Sequence, residues 1–148
     1  MVKQRGFTVV ELMVAVAIVA ILAAIAIPSY ERYKIKVNRV AAQSEMLEIG
    51  ASLNQYLVIH RSLLVEQSAG QGPEQLVPSE IPRHDNPFYK VELELPTASS
   101  WQLTASPIAN TRQADNGILI LTSEGYRCWD QENIGSCTAN ATTNWDGR

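Results

Sequence analysis

The sequence predicts an α+β protein in which one long N-terminal α-helix packs on a small antiparallel β-sheet of three to four strands. Three patterns carry that expectation. Every residue from Leu12 to Ile27 is Leu, Met, Val, Ala or Ile. Further on, Met46, Ile49, Leu53, Tyr56, Leu57 and Leu64 recur at spacings of three, four and seven, which marks one apolar helix face. Beyond Pro87 the chain alternates apolar and polar residues with period two.

The first half of the helix is long enough for a membrane. The 21 residues from Phe7 to Ile27 amount to about 31 Å of helix, the thickness of a bilayer's hydrocarbon core. Glu11 interrupts this segment near its start. An ionisable side chain there costs roughly 2.5 kcal/mol or more, so it persists where it finds a partner. A cleaved secretory signal has an apolar core of about 7 to 15 residues and a small-residue site after it. The run here is longer, and Ala26-Ile27-Pro28 is a poor site of that kind. A plain single-pass anchor gives no reason for Glu11 or for the Arg5-Gly6-Phe7 junction. A buried core helix rarely shows so many apolar residues in succession.

Pro28 lacks an N–H and clashes with the preceding turn, which predicts a break or kink. The helix is expected to continue through about Leu64, its second half amphipathic. Gly50 costs this half about 1 kcal/mol relative to alanine, so a strand or loop is expected to pack closely against it. From Ser68 to Pro87, residues Gly70, Gly72, Pro73, Pro78, Pro82 and Pro87 forbid a long helix or central strand. This is a connecting region with room for one short edge strand.

Tyr89, Val91, Leu93 and Leu95 alternate with Lys90, Glu92 and Glu94, as in a half-buried strand. Trp101, Leu103 and Ala105 repeat the pattern after a turn through Pro96-Thr97-Ala98-Ser99-Ser100. Ile118-Leu119-Ile120-Leu121 is a short apolar strand, and Ser123-Glu124-Gly125 turns it into Tyr126-Arg127-Cys128-Trp129. The resulting meander has one obvious partner for its apolar face, the amphipathic half of the helix.

Composition narrows the function. The chain has 148 residues, 12 Lys+Arg and 15 Asp+Glu, net −3, which allows one domain beyond the anchor and excludes a globally basic nucleic-acid binder. The basic residues Arg61, Arg83, Lys90, Arg112, Arg127 and Arg148 are scattered. No Ser/His/Asp arrangement, phosphate loop or metal-ligand cluster supports an enzyme, a metal or a cofactor. His60 and His84-Asp85 read as surface or loop residues. Asp130, Glu132 and Asp146 lack regular calcium-ligand spacing and read as surface charge. Two cysteines, Cys128 and Cys137, are too few for a structural zinc site and form no C-x-x-C motif. Asn140-Ala141-Thr142 matches a glycosylation sequon, a short pattern with little specificity.

Gly6-Phe7-Thr8-Val9-Val10-Glu11-Leu12, with the basic Lys3 and Arg5 before it and Ala24-Ile25-Ala26-Ile27-Pro28-Ser29-Tyr30 closing the run, resembles the N-terminus of type IV pilin precursors. The resemblance implies cleavage between Gly6 and Phe7 by a prepilin peptidase, which also N-methylates Phe7. It implies that Glu11, fifth from Phe7, meets the N-terminal amine of a neighbouring subunit, two buried charges whose costs cancel when paired. The segment around Pro28 can unwind in filaments of similar pilins. The implied organisation is a leader at 1–6, a transmembrane and assembly helix at 7–33, and a periplasmic head at 34–148. The connecting region corresponds to the αβ-loop of pilins, on the filament surface.

In an exported head Cys128 and Cys137 are expected to form one disulfide, closing a C-terminal region such as pilins show. Arg32, Lys34, Lys36 and Arg39 follow the apolar run, against Lys3 and Arg5 before it, so a positive-inside count alone would put the head in the cytoplasm. The processing that the resemblance implies requires the opposite orientation, leaving the basic group to face acidic groups of neighbouring subunits. Expected partners are other pilin subunits, the prepilin peptidase/N-methyltransferase, the inner-membrane assembly machinery and the inner membrane itself, followed by an extracellular pilus of a Gram-negative bacterium. The expected function is that of a minor pilin. The alternatives are a pseudopilin of the type II secretion system and a DNA-binding pilin of natural competence.

Overall fold

A computed structural model of the chain describes residues 6–64, 72–83, 86–131 and 137–146. The leader residues Lys3 and Arg5, the pair His84-Asp85, Glu132 and Arg148 lie outside them. The chain divides at Lys36/Val37 into two units, which are described separately.

Helix α1, Val9–His60, supplies the regular structure among the described residues of the first unit and continues into the second. In the first unit its large apolar side chains face outward, Val9 at 74% exposure and Ile25 at 68%, the kind of continuous apolar surface that marks a membrane or partner contact. The segment is long and apolar enough to cross a membrane. Pro28 lies inside α1, which continues past it as the sequence predicts, so Pro28 does not end the helix. The physical reason is that a proline withdraws a single intrahelical donor, and the turns on either side keep theirs.

In the second unit α1 buries Ala42, Met46, Ile49, Gly50 and Leu53. It ends earlier than expected, at His60 rather than Leu64. Arg61 adopts a left-handed φ of 59°, and its N–H still donates to the Leu57 carbonyl at 2.8 Å, a helix stop of the single-bond αL type. The core position expected of Leu64 passes to Leu63, whose N–H donates to the Ala98 carbonyl at 2.8 Å.

A short 3-10 turn, Pro73–Leu76, precedes the sheet. The sheet has five strands: β1 Glu80–Ile81, β2 Tyr89–Thr97, β3 Ser100–Pro107, β4 Ile118–Thr122 and β5 Arg127–Asp130. They form an antiparallel meander in chain order. The strand beyond the expected three to four is β1, pairing Glu80 with Lys90 and Ile81 with Tyr89. Two residues are too few for a period-two signal, so it could be read only as room for an edge strand. Between β2 and β3 the register slips between Glu94 and Thr97, around Pro96, which has no N–H for the ladder.

The inner face of the sheet (Val91, Trp101, Leu103, Ala105, Leu119 and Leu121) packs with Met46, Ile49 and Leu53. Gly50 is where the two layers touch. A Cβ there would stand 2.7 Å from the Trp101 ring and 3.3 Å from Leu121 Cδ2, so strands supply the close packing the sequence predicts. Trp101 Nε1 also donates to Asn54 Oδ1 at 2.9 Å. Strand β4 is buried on both faces, which explains its unbroken apolar run. Its second face, Ile118 and Ile120, packs with Cys128, Cys137 and Ala139.

Candidate assembly site and head surface

The N-terminus of α1 is a capping box. Thr8 donates to Glu11 Oε2 through its N–H at 3.0 Å and its hydroxyl at 2.9 Å, and Glu11 N–H returns a bond to Thr8 Oγ1 at 3.3 Å. Thr-x-x-Glu is the sequence form of this motif, and it satisfies donors that the first turn would otherwise leave orphaned. The Glu11 carboxylate is thereby fixed on the first turn, where the helix dipole favours negative charge. Gly6 and Phe7 precede the helix in non-helical backbone, and Phe7 is 84% exposed. Gly6–Phe7, Phe7 and Glu11 therefore lie together at one helix end.

Cys128 and Cys137 form a disulfide with Cα atoms 6.0 Å apart. It joins β5 to the C-terminal segment, which is further held by an isolated bridge between Arg127 and Asn140 and by Trp145, whose Nε1 donates to the Ile120 carbonyl at 3.1 Å. Asn140, the sequon residue, is occupied in an Asx turn: its Oδ1 accepts from Thr142 N–H at 2.9 Å and Thr142 Oγ1 at 2.7 Å.

A polar cluster that periodicity does not reveal joins the helix to three parts of the head. The Arg39 guanidinium lies 3.6 Å from the centre of the Trp129 ring and donates to Asn116 Oδ1 at 2.9 Å. Trp129 Nε1 donates to the Asn116 carbonyl at 2.6 Å. Asn116 Nδ2 and Gln113 Nε2 both donate to the Tyr89 hydroxyl, at 3.2 and 3.0 Å. Burial pushes the Tyr89 phenol above its ordinary pKa, against smaller lowering effects from these two bonds and from Arg39. Burial likewise lowers Arg39, while Tyr89 opposes the shift. No periodic pattern marks these residues in the sequence, and the glycine after Asn116 is tightly confined. Gly117 has φ +73°, and a Cβ there would run into the Asp130 carbonyl.

Among the described residues, the head's basic side chains sit on different elements, most of them beside acidic or aromatic neighbours. Arg83 is paired with Glu45, Nε to Oε1 at 2.6 Å, and its N–H also donates to that carboxylate. Arg127 lies 5.2 Å from the centre of the Trp145 ring. Lys90 is exposed on β2 beside Glu92 and opposite Glu80. Arg61 and Arg112 are exposed near the helix end and in the turn before β4. His60 packs its ring against Tyr56 at 4.2 Å.

Comparison with known proteins matches both units. Residues 1–27 match a family described as "Prokaryotic N-terminal methylation motif", and residues 28–119 match one described as "Type IV minor pilin ComP, DNA uptake sequence receptor". Among curated proteins the chain is 54% identical over 46 residues to prepilin peptidase-dependent protein D of Escherichia coli (strain K12), covering 31% of this chain and 29% of that protein. A fimbrial protein of Pseudomonas aeruginosa is 54% identical over 43 residues, 29% of this chain and 28% of that protein. These matches span less than a third of the relatives' length. A type IV major fimbrial protein FimA of Dichelobacter nodosus is 42% identical over 71 residues, 48% of this chain and 39% of that protein. The Neisseria meningitidis non-core minor pilin PilV has the same fold. Its crystal structure aligns with a TM-score of 0.50 at 12% identity, over 75% of this chain and 93% of that one.

Proposed function

Because this chain belongs to the type IV minor pilin family described as ComP, DNA uptake sequence receptor, we propose that it is a minor pilin whose head binds DNA at the surface of a pilus. The family match across residues 28–119 carries this reading, since it covers most of the head as well as the end of the anchor. Like the family, the protein is a structural subunit and not an enzyme.

Processing and assembly follow from the N-terminus. The precursor is cut between Gly6 and Phe7, and Phe7 is methylated; both residues are exposed ahead of the helix, where a membrane-embedded peptidase can reach them. The mature subunit waits in the membrane with α1 across it. On assembly the apolar helix exchanges lipid for other pilin helices, and Glu11 meets a neighbour's amine. The capping box supports this exchange because the carboxylate has somewhere to rest beforehand.

DNA binding by this head cannot rest on net charge. Without Lys3 and Arg5 the chain has ten basic and fifteen acidic residues, net −5, so a duplex must meet a few local cations such as Arg61 and Arg112. With four or fewer phosphates neutralised, log K falls against log salt with a slope no steeper than about −4. The test is binding of full-length protein in detergent to a pool of random duplexes, followed by selection and a salt titration. Recovery of one short preferred sequence with that shallow slope is the expected result. Absence of binding at low salt, where electrostatics are strongest, would remove DNA from the reading and leave the pilin role standing.

A further inference from the structure

The residues that follow the apolar run are rich in aromatic and basic side chains, in the order Tyr30-Glu31-Arg32-Tyr33-Lys34-Ile35-Lys36. Tyr30, Arg32, Tyr33, Lys34 and Lys36 are all exposed, Tyr30 at 58% and Tyr33 at 65%. Tyr30, Tyr33 and Lys34 share one helix face by their spacing of three and four, and Lys34 Nζ lies 5.8 Å from the centre of the Tyr30 ring. Arg32 and Lys36 share a neighbouring face. The only carboxylate in the stretch is Glu31. A basic run by itself is a solvated surface, but here it is interleaved with tyrosines and placed at one particular depth.

That depth follows from the helix rise. If Ile27 marks the edge of the hydrocarbon, Tyr30 stands about 4.5 Å beyond it, inside a headgroup layer roughly 5–7 Å thick, and Tyr33, Lys34 and Lys36 stand about 9, 10.5 and 13.5 Å beyond it, from where long side chains reach back. Tyrosine prefers this layer, apolar ring inward and hydroxyl outward. Lysine and arginine stems reach back along the helix and leave their charge among the phosphates. In the orientation that the proposed processing requires, the cations at this end outnumber Lys3 and Arg5 across the segment, so an orientation signal does not account for them.

We infer that Tyr30, Arg32, Tyr33, Lys34 and Lys36 form a collar that binds anionic phospholipid headgroups in the leaflet on the head side, fixing the depth of the subunit before assembly. The inference rests on α1 crossing the membrane, but not on DNA binding. The collar draws anionic lipid to the helix and releases it as neighbouring subunits replace the lipid around it.

The test uses the full chain in phosphatidylcholine vesicles with the head outward, and spin-labelled phosphatidylglycerol or phosphatidylcholine confined to the outer leaflet. The ratio of phosphatidylglycerol to phosphatidylcholine at the protein boundary is expected to exceed about three, given the attraction of each basic residue at a membrane surface. It falls towards one in Arg32→Gln/Lys34→Gln/Lys36→Gln and in high salt, and persists in the charge-preserving Lys34→Arg/Lys36→Arg. Resistance to alkaline carbonate extraction is scored in the same samples. Protein that fails to insert overturns the membrane-spanning premise together with the collar. Protein that inserts with a ratio near one, or a triple variant that keeps the wild-type ratio, overturns the collar alone.

Discussion

At 0% exposure, the Tyr89 hydroxyl serves as the shared acceptor for the Gln113 and Asn116 amides. Tyr89→Phe withdraws that acceptor and is expected to cost about 1–3 kcal/mol at neutral pH. The phenol's raised pKa gives the substitution a pH signature. The folded state holds this proton more tightly than the unfolded chain, whose tyrosines titrate near pH 10. Its contribution is therefore complete below about pH 10 and is lost as pH rises through the folded-state value. Tyr89→Phe has no such loss, so the stability gap between wild type and variant narrows above pH 10. Denaturant titrations at neutral and alkaline pH, followed by the fluorescence of Trp101, Trp129 and Trp145, measure it. A gap that widens instead would contradict the assignment. Gly117 is the other residue with a clear consequence: alanine there is strained by the positive φ and driven into the Asp130 carbonyl, so Gly117→Ala should lose more than about 2 kcal/mol in the same titration.

Among the elements, the C-terminal segment depends most on a covalent bond. Among the described residues, besides the disulfide, it is held by the Arg127–Asn140 bridge, by apolar contacts on β4, and by Trp145, which enters the main core, bonds the Ile120 carbonyl and lies beside Arg127. Replacing Cys128 and Cys137 together by serine is expected to lower head stability by roughly 2.5–3 kcal/mol, the loop-closure value for about ten residues. Proteolysis after residue 130 would accelerate more than cleavage within β2 or β3, and limited digestion with mass spectrometry distinguishes the two. How far each element was legible follows from the kind of signal it left. The face through Met46, Ile49 and Leu53 and strands β2 and β3 announce themselves by periodicity, while the apolar run and β4 announce themselves by unbroken apolar composition. Strand β1 has two residues and leaves no repeat. The helix end was misplaced because Arg61, not glycine, takes the left-handed position, and Leu64 continues the apolar spacing after the helix has stopped. The Arg39–Asn116–Tyr89 cluster was illegible for another reason: its members are 77 and 27 residues apart in sequence and meet only after the sheet is built. At the N-terminus Thr8 and Glu11 are three residues apart, and their geometry could have been read directly as a capping box.

For the whole molecule, the two roles of Glu11 can be separated. In the subunit it caps its own helix through Thr8; in a filament it is proposed to neutralise a neighbour's amine. Glutamine fulfils the first role, because a capping box accepts Glu or Gln, but it carries no charge for the second. Valine fulfils neither. If capping alone matters, Glu11→Gln enters pili normally and Glu11→Val does not. If the charge pair drives assembly, both variants insert into the membrane and are cut at Gly6–Phe7, and both are then depleted from pili. Leaving the opposing amine buried without a counter-ion costs on the order of 3–5 kcal/mol, so incorporation should fall by tenfold or more even after partial relaxation. Immunoblots of sheared pili against whole cells give the incorporated fraction, and intact mass of the membrane pool confirms cleavage. We expect Glu11→Gln to resemble Glu11→Val in the pili and wild type in the membrane pool; normal incorporation of the glutamine variant would assign Glu11 to capping and leave the register of the filament to helix packing.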